Sequence, residues 1–287
     1  MSNQRSVVVI TGAASGMGAA CARRLMRGDR TLLLVDVNEA ALATVKAELR
    51  DLAFDEDQIH VQRTDITSAA DISALAAKVQ QLGPLGAVLN VAGVSPTMAD
   101  WRRVFEVDLV GTAMVLEAML PLAGPGTVAV CWSSSSAHMG PMAAPAPEIT
   151  AAMADPLSPD LYDKVRAALG DVLDGEMGSG IGYGTAKRGV IQLVGRQAAA
   201  WGAKGARICS ISPGMIDTPM GRQEFEKQPA MAFMLQSTPL ARFGASSEIA
   251  ELAAFMISPD AGFLSGVDIL LDGGCTAALN AMMTASS

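Results

Sequence analysis

The chain has 287 residues, of which 50% are hydrophobic and 17% are charged. That composition supplies enough apolar material for a large core and excludes an intrinsically disordered chain. The formal net charge of −8 argues against nucleic acid or an anionic membrane as the partner, because both require clustered Lys and Arg.

The apolar run at residues 7–10 is too short for a signal peptide or a membrane span, so we expect a cytoplasmic protein. The four cysteines are widely spaced and form no Cys-x-x-Cys pair, which predicts buried free thiols. They are Cys21, Cys131, Cys209 and Cys275. Because the chain has only two histidines, His60 and His138, we expect no metal site.

A glycine-rich stretch, residues 11–18, follows the first apolar run and precedes a helical pattern at residues 19–27. In this context Gly12 is expected to make a tight turn, Gly16 to let the backbone approach a phosphate, and Gly18 to pack the helix on the strand. The helix N-terminus offers free N–H groups and a positive dipole end to a pyrophosphate. The stretch therefore predicts dinucleotide binding.

The next buried-type strand, residues 31–36, ends in Asp36. A carboxylate at this point can accept hydrogen bonds from the adenosine ribose hydroxyls and repels a 2′-phosphate. Ser15 lies inside the turn and Val37 and Asn38 follow Asp36, so no Arg or Lys is placed to bind NADP. The sequence predicts NAD.

Three more strands, at residues 58–66, 85–91 and 127–132, repeat the unit, and two others are predicted at 206–212 and 267–271. The carboxyl ends of parallel strands line one crevice, where Asp65 would accept from the adenine amino group. We therefore predict a single-domain α/β fold, a Rossmann-type doubly wound parallel sheet of about seven strands. Residues 101–122 predict a long helix with Asp108 near its middle.

Residues 181–201 also predict a helix, and it carries Tyr183 and Lys187. Side chains four residues apart project from the same helix face, which places the phenol beside the ammonium. A positive charge stabilises a phenolate and lowers its pKa. Such a tuned phenol is the acid/base group that a carbonyl reductase needs.

These motifs resemble the short-chain dehydrogenase/reductase family, and they occur in the family's order over residues 7–274. The resemblance rests on Thr-Gly-x-x-x-Gly-x-Gly at 11–18, Asn-x-Ala-Gly at 90–93, a serine after the fifth strand, Tyr-x-x-x-Lys at 183–187 and Pro-Gly at 213–214. Within the family, the interval between Ser133 and Tyr183 and the Ser-Ala-His segment at 136–138 are similar to bacterial 3α-hydroxysteroid dehydrogenase/carbonyl reductase.

The resemblance implies that Tyr183 is the general acid/base and that Lys187 lowers its pKa and holds the nicotinamide ribose. Ser133 would donate to the substrate oxygen, with Ser134 as the alternative in the same serine run. The loop after the sixth strand would cover the nicotinamide, with Ile216 and Thr218 at its carboxamide. The full set of implied cofactor contacts is Thr11, Gly12, Ser15, Gly16, Met17, Gly18, Asp36, Val37, Asp65, Ile66, Asn90, Ala92, Gly93, Tyr183, Lys187, Pro213, Gly214, Ile216 and Thr218.

Two positions depart from the family pattern. The central helix has Asp108 where the family usually has an asparagine, and an ionised Asp only accepts hydrogen bonds, so a proton relay through it would be wired differently. We still expect Asp108 to belong to the catalytic group. Trp132, directly before Ser133, is bulky for its strand position and is expected to pack under the site.

An insertion, residues 140–180, precedes Tyr183. It is expected to begin as an irregular loop and then to form a helix from a cap at Ser158 to about Leu173. The helix has an apolar stripe formed by Leu161, Val165, Ala168, Leu169 and Val172. It would either cover the substrate cleft or pack where family members meet a second subunit. In the first case Met139, Met142 and Met177 would add an apolar wall.

Residues 214–242 predict a mobile, loop-rich substrate lid, because residues 219–242 show no clean periodicity. Residues 247–257 predict a last amphipathic helix, and the tail at 277–287 is expected to fray.

The predicted function is NAD(H)-dependent interconversion of a secondary alcohol and a ketone by a homo-oligomer, a dimer or a tetramer. The substrate is expected to be hydrophobic, such as a hydroxysteroid. Two alternatives remain open: a 3-oxoacyl carrier-protein reductase, and a catalytically idle NAD-binding sensing module.

Overall fold

The structure is a computed structural model that describes residues 5–26, 30–50 and 58–285. Seven parallel strands form its central sheet in the order β3-β2-β1-β4-β5-β6-β9, and β7 and β8 form a separate short parallel pair. The strands are β1 Ser6–Thr11, β2 Arg30–Asp36, β3 Ile59–Arg63, β4 Leu85–Asn90, β5 Val128–Trp132, β6 Arg207–Pro213, β7 Ile216–Asp217, β8 Gly244–Ala245 and β9 Asp268–Leu271. The predicted fold class and the seven-stranded sheet are confirmed.

Twelve α-helices are described around this sheet. They are α1 Gly16–Leu25, α2 Glu39–Arg50, α3 Ala69–Leu82, α4 Trp101–Phe105, α5 Thr112–Met119, α6 Pro147–Ala152, α7 Leu161–Leu169, α8 Gly178–Gly202, α9 Pro219–Lys227, α10 Ala230–Ser237, α11 Ser246–Met256 and α12 Cys275–Ala285.

Both faces of the sheet are covered, as the continuous apolar strands require. Successive side chains of β1 alternate between two cores: Val7 and Val9 lie in one, and Val8 and Ile10 in the other. The first core contains residues of α3, α5 and α8, and the second contains residues of α1, α2 and α11. This α/β/α arrangement brings the carboxyl ends of the strands to one edge, where the site lies.

In the first half of the chain the observed elements agree with the predicted ones, with three differences. Helix α1 begins at Gly16, three residues earlier than expected, and residue 27 of the predicted helix lies outside the described residues. Strand β3 is shorter than predicted. The predicted helix at 101–122 is helical throughout but contains a π-helical segment, Glu106–Gly111, around Asp108. Such π segments occur most often at functional sites.

The insertion is more helical than predicted. A short helix, α6, precedes α7, which begins at Leu161 and not from a cap at Ser158, and Gly170, with a φ of 66°, ends it. A 3₁₀ segment, Gly170–Asp174, follows. Of the predicted stripe, Leu161 and Val165 are buried, whereas Val172 is 50% exposed because it lies in that 3₁₀ segment.

The insertion packs against the face of the protein formed by α4 and α8. Tyr162 of α7 lies 6.2 Å from Trp101 of α4 between ring centroids, and the Arg102 guanidinium lies over both rings. Arg196 of α8 donates a hydrogen bond to the Met153 carbonyl at 3.0 Å. The insertion helix α7 is therefore packed on the body of the protein, and its role at a subunit interface stays a prediction.

The three methionines proposed for an apolar wall differ in exposure. Met142 is buried, with its Cγ 3.5 Å from the Cβ position of Gly184, Met139 is half-buried, and Met177 is 74% exposed. Met139 and Met142 lie in one turn, where the Met142 amide donates to the Met139 carbonyl at 3.0 Å, and the apolar wall stays a prediction.

Two predictions about the second half are wrong. Residues 219–242 form two helices, α9 and α10, where a loop-rich lid was expected, and Thr218 caps α9 by accepting from the Gly221 amide at 2.9 Å. The tail is helical as far as Ala285, because α12 packs on α10; residues 286–287 lie outside the described residues. Within the described ranges, every helix is too short or too polar to cross a membrane.

Candidate active site

The glycine turn joins β1 to α1 with the backbone geometry that the sequence predicts. Gly12 has a φ of 64°, and a Cβ there would lie 2.9 Å from the Ala92 backbone. A Cβ on Gly18 would lie 2.1 Å from the Gly12 carbonyl oxygen, so only glycine lets the helix pack this closely on the turn. Ser15, at the N-cap of α1, is exposed and its side chain makes no capping hydrogen bond.

Asp36 lies at the end of β2, against this turn. Its carboxylate accepts hydrogen bonds from the Ala14 amide at 3.1 Å and from the Asn38 amide at 3.0 Å. The next residue, Val37, is 56% exposed. Strand pairing places Arg63 beside Asp36, which the sequence pattern did not reveal, but the Arg63 guanidinium is paired with Asp71 at 3.1 Å.

Asn90 and Thr11 hold the ends of the central strands together. The Asn90 side chain accepts from the Thr11 hydroxyl at 2.9 Å and donates to the Thr112 hydroxyl at 2.8 Å, and the Thr11 hydroxyl in turn accepts from the Ala92 amide at 3.0 Å. The Asn90 side chain is thus committed to protein partners on both sides. Its contribution to a cofactor site is to fix the backbone around Ala92.

Two predicted contacts at the end of β3 differ in exposure. Asp65 is half-buried, and its carboxylate accepts from the Thr67 amide and hydroxyl at 2.9 and 2.7 Å, bonds that lower the pKa of Asp65. Ile66 is 5% exposed and its side chain packs against Gly111, so only its backbone remains for a ligand.

Lys187 is buried beside Asp108. Its ammonium lies 3.3 Å from one Asp108 oxygen and donates to the Trp132 carbonyl at 3.2 Å, while the other Asp108 oxygen accepts from the Val94 amide at 2.8 Å. Burial raises the pKa of the Asp108 carboxyl above its ordinary value, and the Lys187 ammonium opposes that shift. The Trp132 side chain is buried in the core on the α1 side of the sheet, the face opposite α8.

A side chain at position 93 would collide with this ion pair. A Cβ on Gly93 would lie 3.0 Å from an Asp108 oxygen and 3.2 Å from the Lys187 nitrogen. The glycine of the Asn-x-Ala-Gly motif therefore makes room for the buried charges.

Tyr183 lies next to the pair, with its ring centroid 5.6 Å from the Lys187 nitrogen. Burial raises the pKa of Tyr183 well above its ordinary value, the carboxylates of Glu224 and Asp108 raise it further, and a hydrogen bond with Ser134 lowers it. Burial is the main cause of this upward shift, and the role of Lys187 in lowering the pKa of Tyr183 stays a prediction.

The serine run separates into two environments. The Ser133 hydroxyl donates to the Lys187 carbonyl at 2.8 Å and is 4% exposed, so it is used to hold α8 on β5. Ser134 is half-buried, its hydroxyl accepts from the Ser136 amide at 3.2 Å, and it lowers the pKa of Tyr183. Which of the two serines donates to the substrate stays a prediction, and the bond of Ser133 to the Lys187 carbonyl is the reason to weigh Ser134 beside it.

The loop after β6 folds over the glycine turn. Thr218 approaches the Cβ position of Gly16 to 3.3 Å, and both Thr218 and Ile216 are buried. Pro213 is buried at the end of β6, and a Cβ on Gly214 would lie 2.6 Å from the Asp272 Cβ. The loop predicted to cover the nicotinamide therefore lies against the glycine turn and leads directly into α9.

Glu224 of α9 was not among the predicted site residues. It is half-buried, and burial raises the pKa of Glu224 to about 7 while Ser95 and the Lys187 ammonium oppose that shift.

The residues present fit a nicotinamide dinucleotide. Three features lie at the ends of β1 and β2, where α/β sheets bind such ligands. They are the close backbone approach that glycine allows at Gly12, the uncapped N-terminus of α1, and the carboxylate of Asp36. By contrast, the described residues contain no group of three or more His, Cys, Asp or Glu side chains that could hold a metal ion.

Comparisons with known proteins agree with this site. Residues 6–146 match the family model of short chain dehydrogenases, and residues 174–276 match the model named enoyl-(acyl carrier protein) reductase. A short-chain dehydrogenase/reductase of Alternaria brassicicola is 32% identical over 96% of this chain and 97% of its own. The chain belongs to the short-chain dehydrogenase/reductase family.

Two bacterial relatives are similar over nearly their whole length. The cis-4-hydroxycyclohexanecarboxylate dehydrogenase of Sinomonas cyclohexanicum is 32% identical, covering 94% of this chain and 96% of its own. The 3-alpha-hydroxysteroid dehydrogenase/carbonyl reductase of Comamonas testosteroni is 29% identical, covering 96% and 98%. The resemblance drawn from the sequence is thereby confirmed.

Among solved structures, that of levodione reductase matches with a TM-score of 0.74 and 27% identity, over 96% of this chain and 99% of that one. The protein is thus an oxidoreductase of a family that uses NAD or NADP and acts on alcohol and ketone substrates.

Proposed function

We propose that this protein interconverts a secondary alcohol and a ketone with NAD(H), and that Tyr183 is its general acid/base. The observation that carries the proposal is the position of Tyr183 beside the buried pair of Lys187 and Asp108, with its ring centroid 5.6 Å from the Lys187 nitrogen. The cofactor, held by the turn and by Asp36, would supply or accept the hydride.

The chain's own residues would manage the proton and the developing charge. In ketone reduction the Tyr183 phenol, kept protonated by its raised pKa, donates its proton to the carbonyl oxygen as negative charge develops there. Ser134 donates a second hydrogen bond to the same oxygen. In alcohol oxidation the proton moves the other way, so Tyr183 must first become a phenolate.

The preference for NAD is inferred from Asp36. With both oxygens held by backbone amides, the carboxylate stays at the end of β2, where it would accept from ribose hydroxyls and repel a 2′-phosphate. Arg63 lies beside it but is neutralised by Asp71. An NADP enzyme would instead need a free cation at this position.

A cyclic, largely hydrophobic alcohol or ketone is the substrate class that we propose, with hydroxysteroids as one example. The names of the relatives that act on cyclohexane and steroid alcohols support this class. We also propose that the protein acts in the cytoplasm as a homo-oligomer, a dimer or a tetramer.

The test is to incubate the protein with NAD⁺ or NADP⁺ and a panel of cyclic secondary alcohols and hydroxysteroids, and to follow formation of the reduced cofactor. We expect turnover with NAD⁺ that falls by about 10²–10⁴-fold in Tyr183→Phe. Binding of NAD⁺ without turnover of any alcohol or ketone would favour the alternative of a sensing module. A faster rate with NADP⁺ would refute the role given to Asp36.

A further inference from the structure

A polar cluster holds the segment that follows β5, residues 133–138. His138, the last residue of this segment, lies with its Nε2 2.9 Å from an Asp268 carboxylate oxygen and 3.1 Å from the Ser212 hydroxyl oxygen. An ionised carboxylate only accepts hydrogen bonds, so this nitrogen carries the proton and donates. His138 thereby links the segment to strands β6 and β9, which carry Ser212 and Asp268.

Asp268 is the centre of this cluster. Its side chain is 7% exposed, and its two oxygens also accept from the Ser210 hydroxyl at 2.6 Å and from the Ser212 hydroxyl at 2.8 Å. Both serines are completely buried. Because the two serines already tie β6 to β9, the sheet does not need His138 to join these strands. What the histidine adds is an anchor for the 133–138 segment.

The 133–138 segment lies against the catalytic helix α8. Its first residue is fixed there, because the Ser133 hydroxyl donates to the Lys187 carbonyl at 2.8 Å. In its middle, the Ser136 carbonyl oxygen lies 3.4 Å from the Cβ position of Gly184, which is next in the chain to the proposed acid/base. The cluster at β6 and β9 holds the far end. The segment that carries both serines considered as substrate donors is therefore fixed at its two ends.

The strands that receive this anchor also lead to the loop predicted to cover the nicotinamide. Ser212 is the second residue before Gly214 in that loop, and the Gly214 amide donates to the carbonyl of Leu271, the last residue of β9, at 2.9 Å. One hydrogen-bonded cluster therefore fixes the 133–138 segment relative to the loop at the cofactor.

We propose that His138 is a positioning residue for the proposed reaction, and that its bond to Asp268 holds the serine hydroxyl that donates to the substrate oxygen in register with the Tyr183 phenol. This inference rests on the proposed function, since it concerns the geometry of that same site. The two donors must reach one oxygen atom, and a displacement of about 1 Å can lower a rate by about 10²-fold. Loss of the anchor should therefore slow the reaction more than it weakens cofactor binding.

The test measures kcat in His138→Ala for the most active cyclic alcohol of the panel, together with the dissociation constant for NAD⁺. We expect kcat to fall by about 10–10²-fold and NAD⁺ binding to stay within about twofold of the wild type. His138→Gln, whose amide can donate from nearly the same place as Nε2, should recover most of the rate. Added imidazole should also raise the rate of His138→Ala, because the His138 side chain is 24% exposed and its place is open to solvent. A wild-type kcat in His138→Ala, or a loss that neither Gln nor imidazole reverses, would overturn the inference.

Ser210→Ala is the matched control. It removes another donor of the same carboxylate, at 2.6 Å, without touching the 133–138 segment. We expect it to lower Tm and to keep the wild-type kcat; a loss of kcat equal to that of His138→Ala would overturn the inference, because general destabilisation would then explain both. His138→Leu fills the space of the ring without a donor, and it must show the same loss of kcat if His138→Ala does not fold.

Hydrogen exchange followed by NMR gives a readout that does not depend on turnover. The Ala137 amide donates to the Ser134 carbonyl at 3.0 Å within the segment. In His138→Ala this amide should exchange at least about tenfold faster, whereas the Ser210 amide of β6 should exchange at the wild-type rate. Unchanged exchange together with a wild-type kcat would overturn the inference and leave the oxidoreductase proposal intact. If the wild-type protein turns over no alcohol while exchange in the variant is faster, the oxidoreductase proposal falls and the anchoring by His138 stands.

Discussion

Replacing Asp108 by Asn should lower the apparent pKa of Tyr183. The Asp108 carboxylate raises that pKa directly and also balances the Lys187 ammonium, from which it lies 3.3 Å. Asn keeps an oxygen that can accept from the Val94 amide but removes the negative charge. The substitution therefore leaves the Lys187 ammonium beside Tyr183 without the negative charge that balances it.

The magnitude follows from the geometry. The Lys187 nitrogen lies 5.6 Å from the centroid of the Tyr183 ring. At an effective dielectric constant of about 20, unit charges at this separation interact by about 3 kcal/mol. This corresponds to about 2 pKa units. Because the site is open to some solvent, we expect a downward shift of about 1–2 units.

The assay is the pH dependence of kcat/KM for alcohol oxidation. Oxidation needs the phenolate, so its rate rises with pH through the Tyr183 pKa, and in Asp108→Asn this rise should occur at lower pH. In ketone reduction, which needs the phenol, the loss of rate at high pH should likewise move to lower pH. Glu106→Gln, an exposed carboxylate of the same π segment paired with Arg103, is the control and should leave both profiles in place.

The stability of Asp108→Asn must be measured together with its pH profiles. Removing one partner of a buried ion pair costs about 3–5 kcal/mol when the other charge stays uncompensated. Lys187 keeps the Trp132 carbonyl at 3.2 Å, so we expect a lower Tm but a folded protein. A folded Asp108→Asn protein whose pH profiles match the wild type would refute the electrostatic role of Asp108.

Three other predictions concern the cofactor, the serine run and the insertion. Asp36→Ala should weaken NAD⁺ binding by about tenfold or more, because charged hydrogen bonds are lost, and should raise the preference for NADP⁺ in a binding titration. An unchanged cofactor preference would count against Asp36 as the acceptor of the ribose hydroxyls. Ser134→Ala should lower kcat by about 10²–10³-fold, whereas Ser133→Ala should mainly lower Tm; the opposite pattern in kinetics and thermal melts would return the role to Ser133. Leu161→Ala, at a buried position, should destabilise the protein by about 2–5 kcal/mol in chemical denaturation. Val172→Ala, at an exposed position, should cost less than about 0.5 kcal/mol, and equal losses for the two variants would contradict the packing of the insertion.

The sheet and the glycine turn could be predicted because their signals are local. Apolar runs mark the strands, and Gly18 is required by a backbone contact with Gly12 in the same turn. Likewise, Tyr183 and Lys187 are brought together by helical spacing alone.

The sequence alone leaves the choice between Ser133 and Ser134 open. Adjacent residues at a strand end point to opposite sides, so the two hydroxyls have different surroundings. The structure adds that the Ser133 hydroxyl donates to the Lys187 carbonyl, and the choice between the two stays a prediction.

Helices α9 and α10 were not predicted, although part of their signal is in the sequence. Thr218 followed by Pro219 is typical of a helix N-terminus, with the threonine as cap and the proline in the first turn. The weak periodicity of residues 219–242 hid this signal, since neither α9 nor α10 contains a buried residue.

The tail helix was missed for a similar reason. Residues after 277 are small and weakly amphipathic, which is typical of a fraying end. In the structure, Asp272 accepts from the Gly274 and Thr276 amides at 2.9 and 2.7 Å, which starts α12, and contact with α10 holds it. Packing therefore decided the conformation of this segment.

The most direct test of the account is to supply NAD⁺ and cyclohexanol deuterated at the carbinol carbon, and to look for deuterium in the reduced cofactor by mass spectrometry. We predict one deuterium transferred per ketone formed by the wild-type protein, and transfer at least about 10²-fold slower in Tyr183→Phe. Ketone formed without deuterium in the cofactor, or transfer at the wild-type rate in Tyr183→Phe, would contradict the account.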